Sequence, residues 1–366
     1  MRVLLTTEFF LSGQSTHVVD LAIQLKKLGH EAEIVFTAVH TPLFQSYYGP
    51  MLRKAGIGLH CTSQRSQINQ IIRRFKPDVI HCHSSTIFSL TKGIALAHRI
   101  PYVVTCHGLG FSHPKYQQAL EHAKRIIAVG PNAAAEIEKD YRDKIVIIPN
   151  GVDIDRFVPA KKEKTIKVYY VARLDWSKLY ALRKLAAAVE QIPKLRLVIV
   201  ANFQPPIHSA EYLPWQTNIE SVLAKANIVA GCGRTAREAM AAGCAVLLMN
   251  SRYDGIVDPE AVSQPGFSFS GSQGRCPFSQ LVHDLNFLAK SRKRLRRLQR
   301  FSRAYAVEHL SSRTMAEKTA AVYQEVVSQS QAWKRRAPYN TQLHGWHLAG
   351  GSFMQQKSPA SSEAPM

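Results

Sequence analysis

This sequence is poor in the features that mark secreted, membrane-spanning and zinc-binding proteins. Its six cysteines form no Cys-x-x-Cys pair, so neither a disulfide framework nor a common zinc or redox motif is indicated. No apolar run approaches the roughly 18 residues of a membrane-spanning helix. The amino terminus lacks the apolar stretch and the cleavage site of a signal peptide. We therefore expect a cytoplasmic protein whose thiols are reduced.

Acidic residues are also scarce relative to basic ones. Lys and Arg together number 47 against 26 Asp and Glu, which gives a formal net charge of +21. Such an excess favours an anionic partner: nucleic acid, an anionic membrane surface or a phosphorylated substrate. Nucleic acid is the least favoured, because no nucleic-acid-binding module is recognisable and aromatic residues are not interleaved with the basic runs. A charge excess that serves solubility alone is the alternative.

The length and the hydrophobic pattern indicate two domains. The 366 residues exceed the roughly 250–300 at which one core usually divides. Short apolar runs alternate with amphipathic helical segments in both halves, which predicts doubly wound parallel sheets. The polar segment Pro159–Lys164 separates the halves. We predict an α/β fold of two Rossmann-like domains facing a cleft, residues 1–158 and 159–328, followed by a disordered tail over residues 329–366.

A glycine-spaced loop between a strand and an Ala-rich helix is the strongest chemical signal, with residues 230–243 reading AGCGRTAREAMAAG. Gly231 and Gly233 let a ligand approach the backbone closely, and the start of the helix favours a phosphate. Glu238, one turn inside the helix, is placed to accept sugar hydroxyls. A loop that serves packing alone is the alternative, since short Gly/Ala motifs recur by chance.

Two cations in another loop beyond a strand form the second signal. Arg173 and Lys178 follow the first apolar run of the second half, and paired cations of this kind suit a pyrophosphate. Taken alone, solvated surface cations explain these residues better than a binding site does.

Histidines close two of the predicted strands. His81 and His83 end one strand, and Cys106 and His107 end another. Ligands this close invite a metal hypothesis, but no further ligand pair has metal-site spacing. We therefore predict no metal site and no cofactor.

In combination these motifs resemble those of the family-4 retaining glycosyltransferases, which have the GT-B fold. That family has two glutamates eight positions apart around a Gly-aromatic-Gly loop. Glu238 matches the second glutamate, whereas Ala230 stands at the position of the first. Pro149–Phe157 resembles the element before the family's interdomain linker, and the resemblance covers about residues 1–325.

The order of the motifs also matches the family, because Arg173 and Lys178 precede the glycine loop. Residues 253–257 follow a strand where the family often has an acidic, glycine-containing loop, so the resemblance implies a loop there at the wall of the cleft.

The resemblance implies a nucleoside-diphosphate sugar as substrate and roles for individual residues. Arg173 and Lys178 are expected to neutralise the leaving diphosphate, and His107 is expected to touch the donor sugar. Arg234, at a position that is usually apolar in the family, would add a cation. The expected donor-binding residues are Gly13, Gly231, Cys232, Gly233, Arg234, Thr235 and Glu238.

Three functions stay open on the sequence. The first is a glycosyltransferase of cell-surface polysaccharide or glycolipid synthesis, with a carbohydrate or lipid-linked acceptor. The second is a non-catalytic nucleotide-sugar-binding or partner protein, because the methyl group of Ala230 cannot replace the hydrogen bonds of a carboxylate. The third is an epimerase of the same fold. The basic segment Lys290–Arg303 is expected to be a structural helix or an element that rests peripherally on the inner membrane face.

Overall fold

The structure is a computed structural model, and it describes residues 1–336. Within these residues the chain forms two α/β domains, each built around one sheet. Among the same residues, no helix combines the length and the apolar character that crossing a bilayer requires. The two sheets confirm the expected fold class.

The amino-terminal sheet has strand order β3-β2-β1-β4-β5-β6-β7, with every neighbouring pair parallel. Its strands are β1 (Arg2–Phe9), β2 (Glu31–Val39), β3 (Gly58–Cys61), β4 (Val79–Cys82), β5 (Tyr102–Cys106), β6 (Arg125–Ala128) and β7 (Ile145–Ile147). Its helices are α1 (Gly13–Lys27), α2 (Gly49–Lys54), α3 (Arg65–Phe75), α4 (Phe88–Ala97), α5 (Gln117–His122) and α6 (Pro131–Tyr141). The strand order reverses between β1 and β4, and ligands of such sheets bind beyond the strand ends at that point.

The carboxy-terminal sheet has the order β10-β9-β8-β11-β12-β13. Its strands are β8 (Ile166–Val171), β9 (Leu195–Ala201), β10 (Ala210–Pro214), β11 (Ile228–Gly231), β12 (Ala245–Met249) and β13 (Tyr253–Ile256). The helices of this half are α7 (Trp176–Glu190), α8 (Ile219–Lys225), α9 (Gly233–Ala241), α10 (Pro259–Ser263), α11 (Gln280–Lys290), α12 (Arg292–His309) and α13 (Ser312–Arg336).

Burial on both faces explains the nearly continuous apolar runs. Val3 and Leu5 of β1 pack in one core layer with Leu21 of α1, whereas Leu4 points to the opposite layer and packs with Ile94 of α4. Successive residues of a strand face opposite sides, so a strand covered by helices on both sides needs apolar residues throughout.

Helix α13 returns to the amino-terminal domain. Tyr323 is fully buried in the core of that domain, and its hydroxyl lies 2.6 Å from Nδ1 of His81. Glu325 forms an ion pair with Arg125 at the start of β6. The helix continues to Arg336, so the first residues of the segment expected as a tail are helical. The remainder of that segment, residues 337–366, lies outside the described residues.

The expected loop at residues 253–257 is wrong for its first part, because β13 pairs there with β12 in antiparallel orientation. Tyr253 is 1% exposed, and its hydroxyl donates to Asp284 at 2.5 Å. Gly255, at φ +94°, supplies a backbone conformation that other residues rarely adopt. The glycine that suggested a loop therefore lies inside a short edge strand.

Candidate active site

A narrow cleft lies between loops that follow the strands of both sheets. Its volume is about 190 Å³. The lining from the amino-terminal domain includes Leu11, Ser12, Gly13, Thr16 and Tyr48, and the lining from the other domain includes Val171, Arg173, Val200, Arg234, Thr235 and Glu238. Arg156 of the connecting segment completes one wall.

The cleft brings together one group of the residues predicted from the sequence. That group consists of Gly13, Arg173, Arg234, Thr235 and Glu238. Within the described residues, the lining leaves out a second group, which consists of His107, Lys178, Gly231, Cys232 and Gly233. The walls are therefore formed by side chains of α9 and of the loops after β1 and β8, rather than by the glycine loop itself.

Helix α9 begins at the glycine loop, as the sequence predicts. Cys232 is its extended N-cap residue, and Gly233 follows with φ +54°. A Cβ atom on Gly231 would lie 2.8 Å from Cγ2 of Thr235, too close for any other residue without rearrangement. The helix ends before Gly243, whose φ of +66° suits a residue without a Cβ atom. The glycines thus serve the geometry of the turn.

A segment after β13 covers the glycine loop. The N–H of Gly233 donates to the carbonyl of Phe269 at 2.6 Å. A Cβ atom on Gly271 would lie 3.0 Å from Cβ of Cys232, so the two stretches are in close contact. The Gly233 amide, expected to contact a diphosphate, is already hydrogen-bonded in this structure.

Arg234 connects the two domains across the cleft. Its Nη2 donates to Oδ2 of Asp20 on α1 at 2.8 Å, and its Nε donates to Oε1 of Glu238 at 2.6 Å. The three side chains are 18%, 8% and 11% exposed respectively. Burial disfavours the charge of Arg234, but the two carboxylates outweigh it and raise the pKa of the guanidinium. Burial also raises the pKa of both carboxyl groups.

A second arginine forms a parallel connection. Nη2 of Arg156 lies 2.7 Å from Oε2 of Glu220 on α8 and 2.8 Å from the hydroxyl of Tyr47 in the amino-terminal domain. Each arginine thus joins a residue of one domain to a carboxylate of the other. Sequence reasoning missed Asp20 and Glu220, because no local motif marks them, and it included Arg156 only as part of the Pro149–Phe157 element.

The two predicted cations after β8 have different surroundings. Arg173 is exposed and lines the cleft. Nζ of Lys178 lies 2.6 Å from Oδ2 of Asp175 and 3.0 Å from the carbonyl oxygen of Arg173. Hydrogen bonds from Lys178 and Ser177 lower the pKa of Asp175 to about 2. Lys178 therefore stabilises the loop that carries Arg173.

His107 belongs to a cluster of histidines at the carboxyl ends of β4 and β5. Its Nε2 lies 3.2 Å from Nδ1 of His83, and its ring centroid lies 4.8 Å from that of His17 on α1. Burial lowers the pKa of His17 to about 4 and lowers that of His83 and His107 well below the ordinary value. His81 instead bonds Tyr323 and Thr105. Sequence reasoning did not predict that His17, on α1, would join this cluster.

Ala230 faces the interior. It is fully buried in the core layer that contains Tyr170 and Leu247, its register partners on β8 and β12. A buried methyl group therefore stands at the position that the resemblance assigns to the family's first glutamate.

This geometry defines a class of protein. Two doubly wound domains around a shared cleft constitute the GT-B fold, which is the fold expected from the motifs. Residues 11–156 match the family Glycosyltransferase Family 4. The match lies within the amino-terminal domain; it confirms the resemblance stated from the motifs and supports sugar transfer as the activity.

Solved structures share the fold over nearly their whole length. A glycosyltransferase from Rickettsia africae ESF-5 superposes with a TM-score of 0.69 at 17% identity, over 89% of this chain and 98% of that one. HepE of Anabaena, solved with UDP and glucose, superposes with a TM-score of 0.68 at 16% identity, over 89% of this chain and 100% of that one. A Listeria monocytogenes protein assigned as a UDP-N-acetylglucosamine 2-epimerase superposes with a TM-score of 0.61 at 14% identity, over 90% of this chain and 97% of that one. At these identities the likeness establishes the fold alone. None of the curated proteins matches the sequence.

Proposed function

We propose that this protein is a glycosyltransferase that moves a sugar from a nucleoside diphosphate to an acceptor hydroxyl, with retention at the anomeric carbon. The observation that carries the proposal is the cleft itself, where Arg173, Arg234 and Glu238 face Gly13 across the domain boundary. Anionic, hydroxyl-rich ligands suit such a combination of guanidinium groups and a carboxylate. The family match of the amino-terminal domain supports the same reaction.

The chemical demand of the transfer is to stabilise the charge that develops on the departing diphosphate. Arg173 and Arg234, both in the lining of the cleft, supply positive charge, and the start of α9 adds a partial positive charge. Fixed charges in a site from which water is excluded are effective, because they need no reorganisation during the reaction. Lys178 acts by holding the Arg173 loop. The resemblance assigns His107, which lies outside the cleft lining in this structure, to the donor sugar.

Donor binding exchanges the partners of Arg234. In this structure the guanidinium of Arg234 donates a hydrogen bond to Oε1 of Glu238. The family resemblance assigns this carboxylate to the ribose. A diphosphate that attracts Arg234 releases Glu238 to accept ribose hydroxyls. One motion of the arginine thus prepares the groups that hold both the phosphates and the sugar of the nucleotide.

The cleft must open to admit a donor. Its volume of about 190 Å³ is below the roughly 300 Å³ at which ligand sites begin. Opening separates Asp20 from Arg234, which lie in different domains. It also breaks one of the two contacts of Arg156, which bridges Tyr47 and Glu220. Closure over the donor then excludes water that would hydrolyse it.

We further propose cytoplasmic synthesis of a cell-surface polysaccharide or glycolipid, at the inner membrane face. Exposed cations of α12, among them Lys293, Arg296 and Arg300, support attraction to anionic lipid. Other cations of the helix are structural, because Arg303 donates to the carbonyls of Ile154, Phe157 and Ala241.

A second candidate function is nucleotide-sugar binding without turnover. Ala230 offers no carboxylate, Glu238 is hydrogen-bonded to Arg234, and the Gly233 amide is bonded to Phe269. An epimerase shares the fold, as the Listeria protein illustrates, but the family match favours a transferase.

Turnover of labelled donors tests the proposal. Purified protein is incubated with UDP-, GDP-, ADP- or dTDP-sugars and a detergent-solubilised glycolipid extract, and nucleoside diphosphate release and labelled product are measured. Transfer that is lost in Arg173→Ala and retained in Arg183→Ala, an exposed arginine of α7, supports the proposal. Binding of a donor without turnover favours the second candidate, and the absence of both binding and turnover contradicts both.

A further inference from the structure

Three histidines converge at the switch point of the amino-terminal sheet. His17 lies on α1, which follows β1, while His83 and His107 directly follow the neighbouring strands β4 and β5. One ring nitrogen from each residue lies within 4.8 Å of the other two. Strand adjacency, rather than sequence spacing, therefore assembles the group.

The hydrogen bonds of these rings are incomplete. Nδ1 of His17, Nε2 of His83 and Nδ1 of His107 are buried and have no hydrogen-bond partner in the described part of the chain. Buried polar atoms in folded proteins are nearly always paired, so these rings do not use their full hydrogen-bonding capacity within the described residues. On His83 and His107 the other ring nitrogens lie 3.2 Å from each other, and an ion between them would replace that contact. His81, on the same strand end, shows the contrast, because both of its ring nitrogens are bonded within the chain.

The charge beside the cluster is compensated. Arg234, the charged group that acts on His17, is hydrogen-bonded to the carboxylates of Asp20 and Glu238. Neutral imidazole is the form of histidine that binds metal ions.

We propose that His17, His83 and His107 form a binding site for a divalent transition metal ion such as Zn²⁺ or Co²⁺. Nδ1 of His83 and Nε2 of His107 lie 3.2 Å apart, close to the ~3.4 Å edge of a tetrahedron with metal–nitrogen bonds of about 2.1 Å. A movement of the His17 side chain completes the triad. Three imidazoles with one remaining position match the ligand set of open zinc sites.

The expectation of no metal site, drawn from sequence spacing, is revised by this proposal. Because His107 is also assigned to the donor sugar, an ion held by the triad competes with the donor for that residue. This competition rests on the proposed function, whereas the existence of the site does not. Metal binding is therefore measured without nucleotide.

Titration of Co²⁺ into untagged, chelator-treated protein tests the site. We expect one ion per chain, with the visible absorption of a tetrahedral cobalt centre. Single replacements His17→Gln and His83→Gln should each weaken binding at least tenfold, whereas His113→Gln, at an exposed histidine of the same domain, should leave it unchanged. Equal affinity in all variants contradicts the proposal, as does wild-type protein that gives no such absorption.

A second measurement does not depend on the folding of the variants. X-ray absorption of wild-type protein loaded with one equivalent of Zn²⁺ counts the coordinating imidazoles. Three histidine ligands are expected. Fewer than three contradict the triad, whatever the donor-binding experiments show.

Discussion

Nη2 of Arg234 donates to Oδ2 of Asp20 at 2.8 Å, and this hydrogen bond joins two residues 214 positions apart in the chain. It connects the first helix of the amino-terminal domain to the helix that carries Glu238 in the other domain. Since both side chains are largely buried, the pair contributes to the closed arrangement of the cleft. It also keeps Arg234 beside Glu238, where it controls access to that carboxylate.

Removal of this interdomain pair should lower stability. We expect Asp20→Asn to reduce the free energy of unfolding by about 2 kcal/mol, because a charged hydrogen bond between buried groups is lost while Arg234 retains Glu238. Urea denaturation measures the change, and Asp155→Asn, at an exposed aspartate, is the control. Equal losses of unfolding free energy in the two variants would show that the Asp20–Arg234 pair stabilises the protein no more than an exposed aspartate does.

Replacement of Glu238 should weaken nucleotide binding by removing the contact with the ribose hydroxyls. We expect Glu238→Ala to weaken nucleotide binding about tenfold or more without unfolding the protein, since hydrogen bonds to charged groups contribute about 1.5–3 kcal/mol. Calorimetric titration with the ribonucleotide and with its 2′,3′-dideoxy analogue makes the test specific. The wild type should prefer the ribonucleotide, and the variant should bind both equally. A preference that survives in Glu238→Ala would place the ribose elsewhere.

Acid should destabilise the protein through its buried histidines. The pKa of His17 is about 4 in the folded protein, against about 6.5 for an unperturbed histidine. Because the folded-state value is the lower one, the unfolded chain binds more protons between these limits, and stability falls as the pH falls from 6.5 through 4. Relative to His17→Gln, the wild type should lose about 3 kcal/mol over this window.

Urea denaturation of both proteins at several pH values in this window measures the difference. The exposed residue His113 provides the control, since His113→Gln should follow the wild type at every pH. A constant difference between the wild type and His17→Gln would mean that His17 is not held neutral.

Restoration of the family's first glutamate should not restore a site. Ala230 is fully buried among apolar neighbours, so Ala230→Glu should cost about 3 kcal/mol or more of stability by burying an unpaired carboxylate. Ala230→Gln separates the effect of size from that of charge. Thermal unfolding and the transfer assay are the readouts. A stable Ala230→Glu variant with a large gain of transfer would instead indicate a decayed site.

The sequence predicted the fold well because the determining signals are local. Short apolar runs alternate with helical segments in the sequence, and two of these runs form the strands β8 and β9. The glycines around α9 mark its two ends. The antiparallel strand β13 was missed because its glycine reads as a loop. Its pairing depends on burial of Tyr253 and on a hydrogen bond to Asp284, a residue 31 positions away.

The site was less predictable for the same reason. Motifs placed Arg173, Arg234 and Glu238 at the cleft, but they do not show that Arg234 bonds Asp20 or that Phe269 covers the Gly233 amide. Such contacts arise from the packing of one domain on the other and of a distant segment on the glycine loop. Patterns among residues close in sequence do not indicate such contacts.

Nucleotide binding tests the central claim most directly. Thermal unfolding of the purified protein is followed with UDP-, GDP-, ADP- and dTDP-sugars, for the wild type, Arg173→Ala and the control Arg183→Ala. A donor at 100 times its dissociation constant should add about 2.7 kcal/mol to the stability of the wild type and of the control. Arg173→Ala should respond only at concentrations roughly 10 to 100 times higher. No stabilisation by any of the four nucleotide classes would contradict a donor site in this cleft.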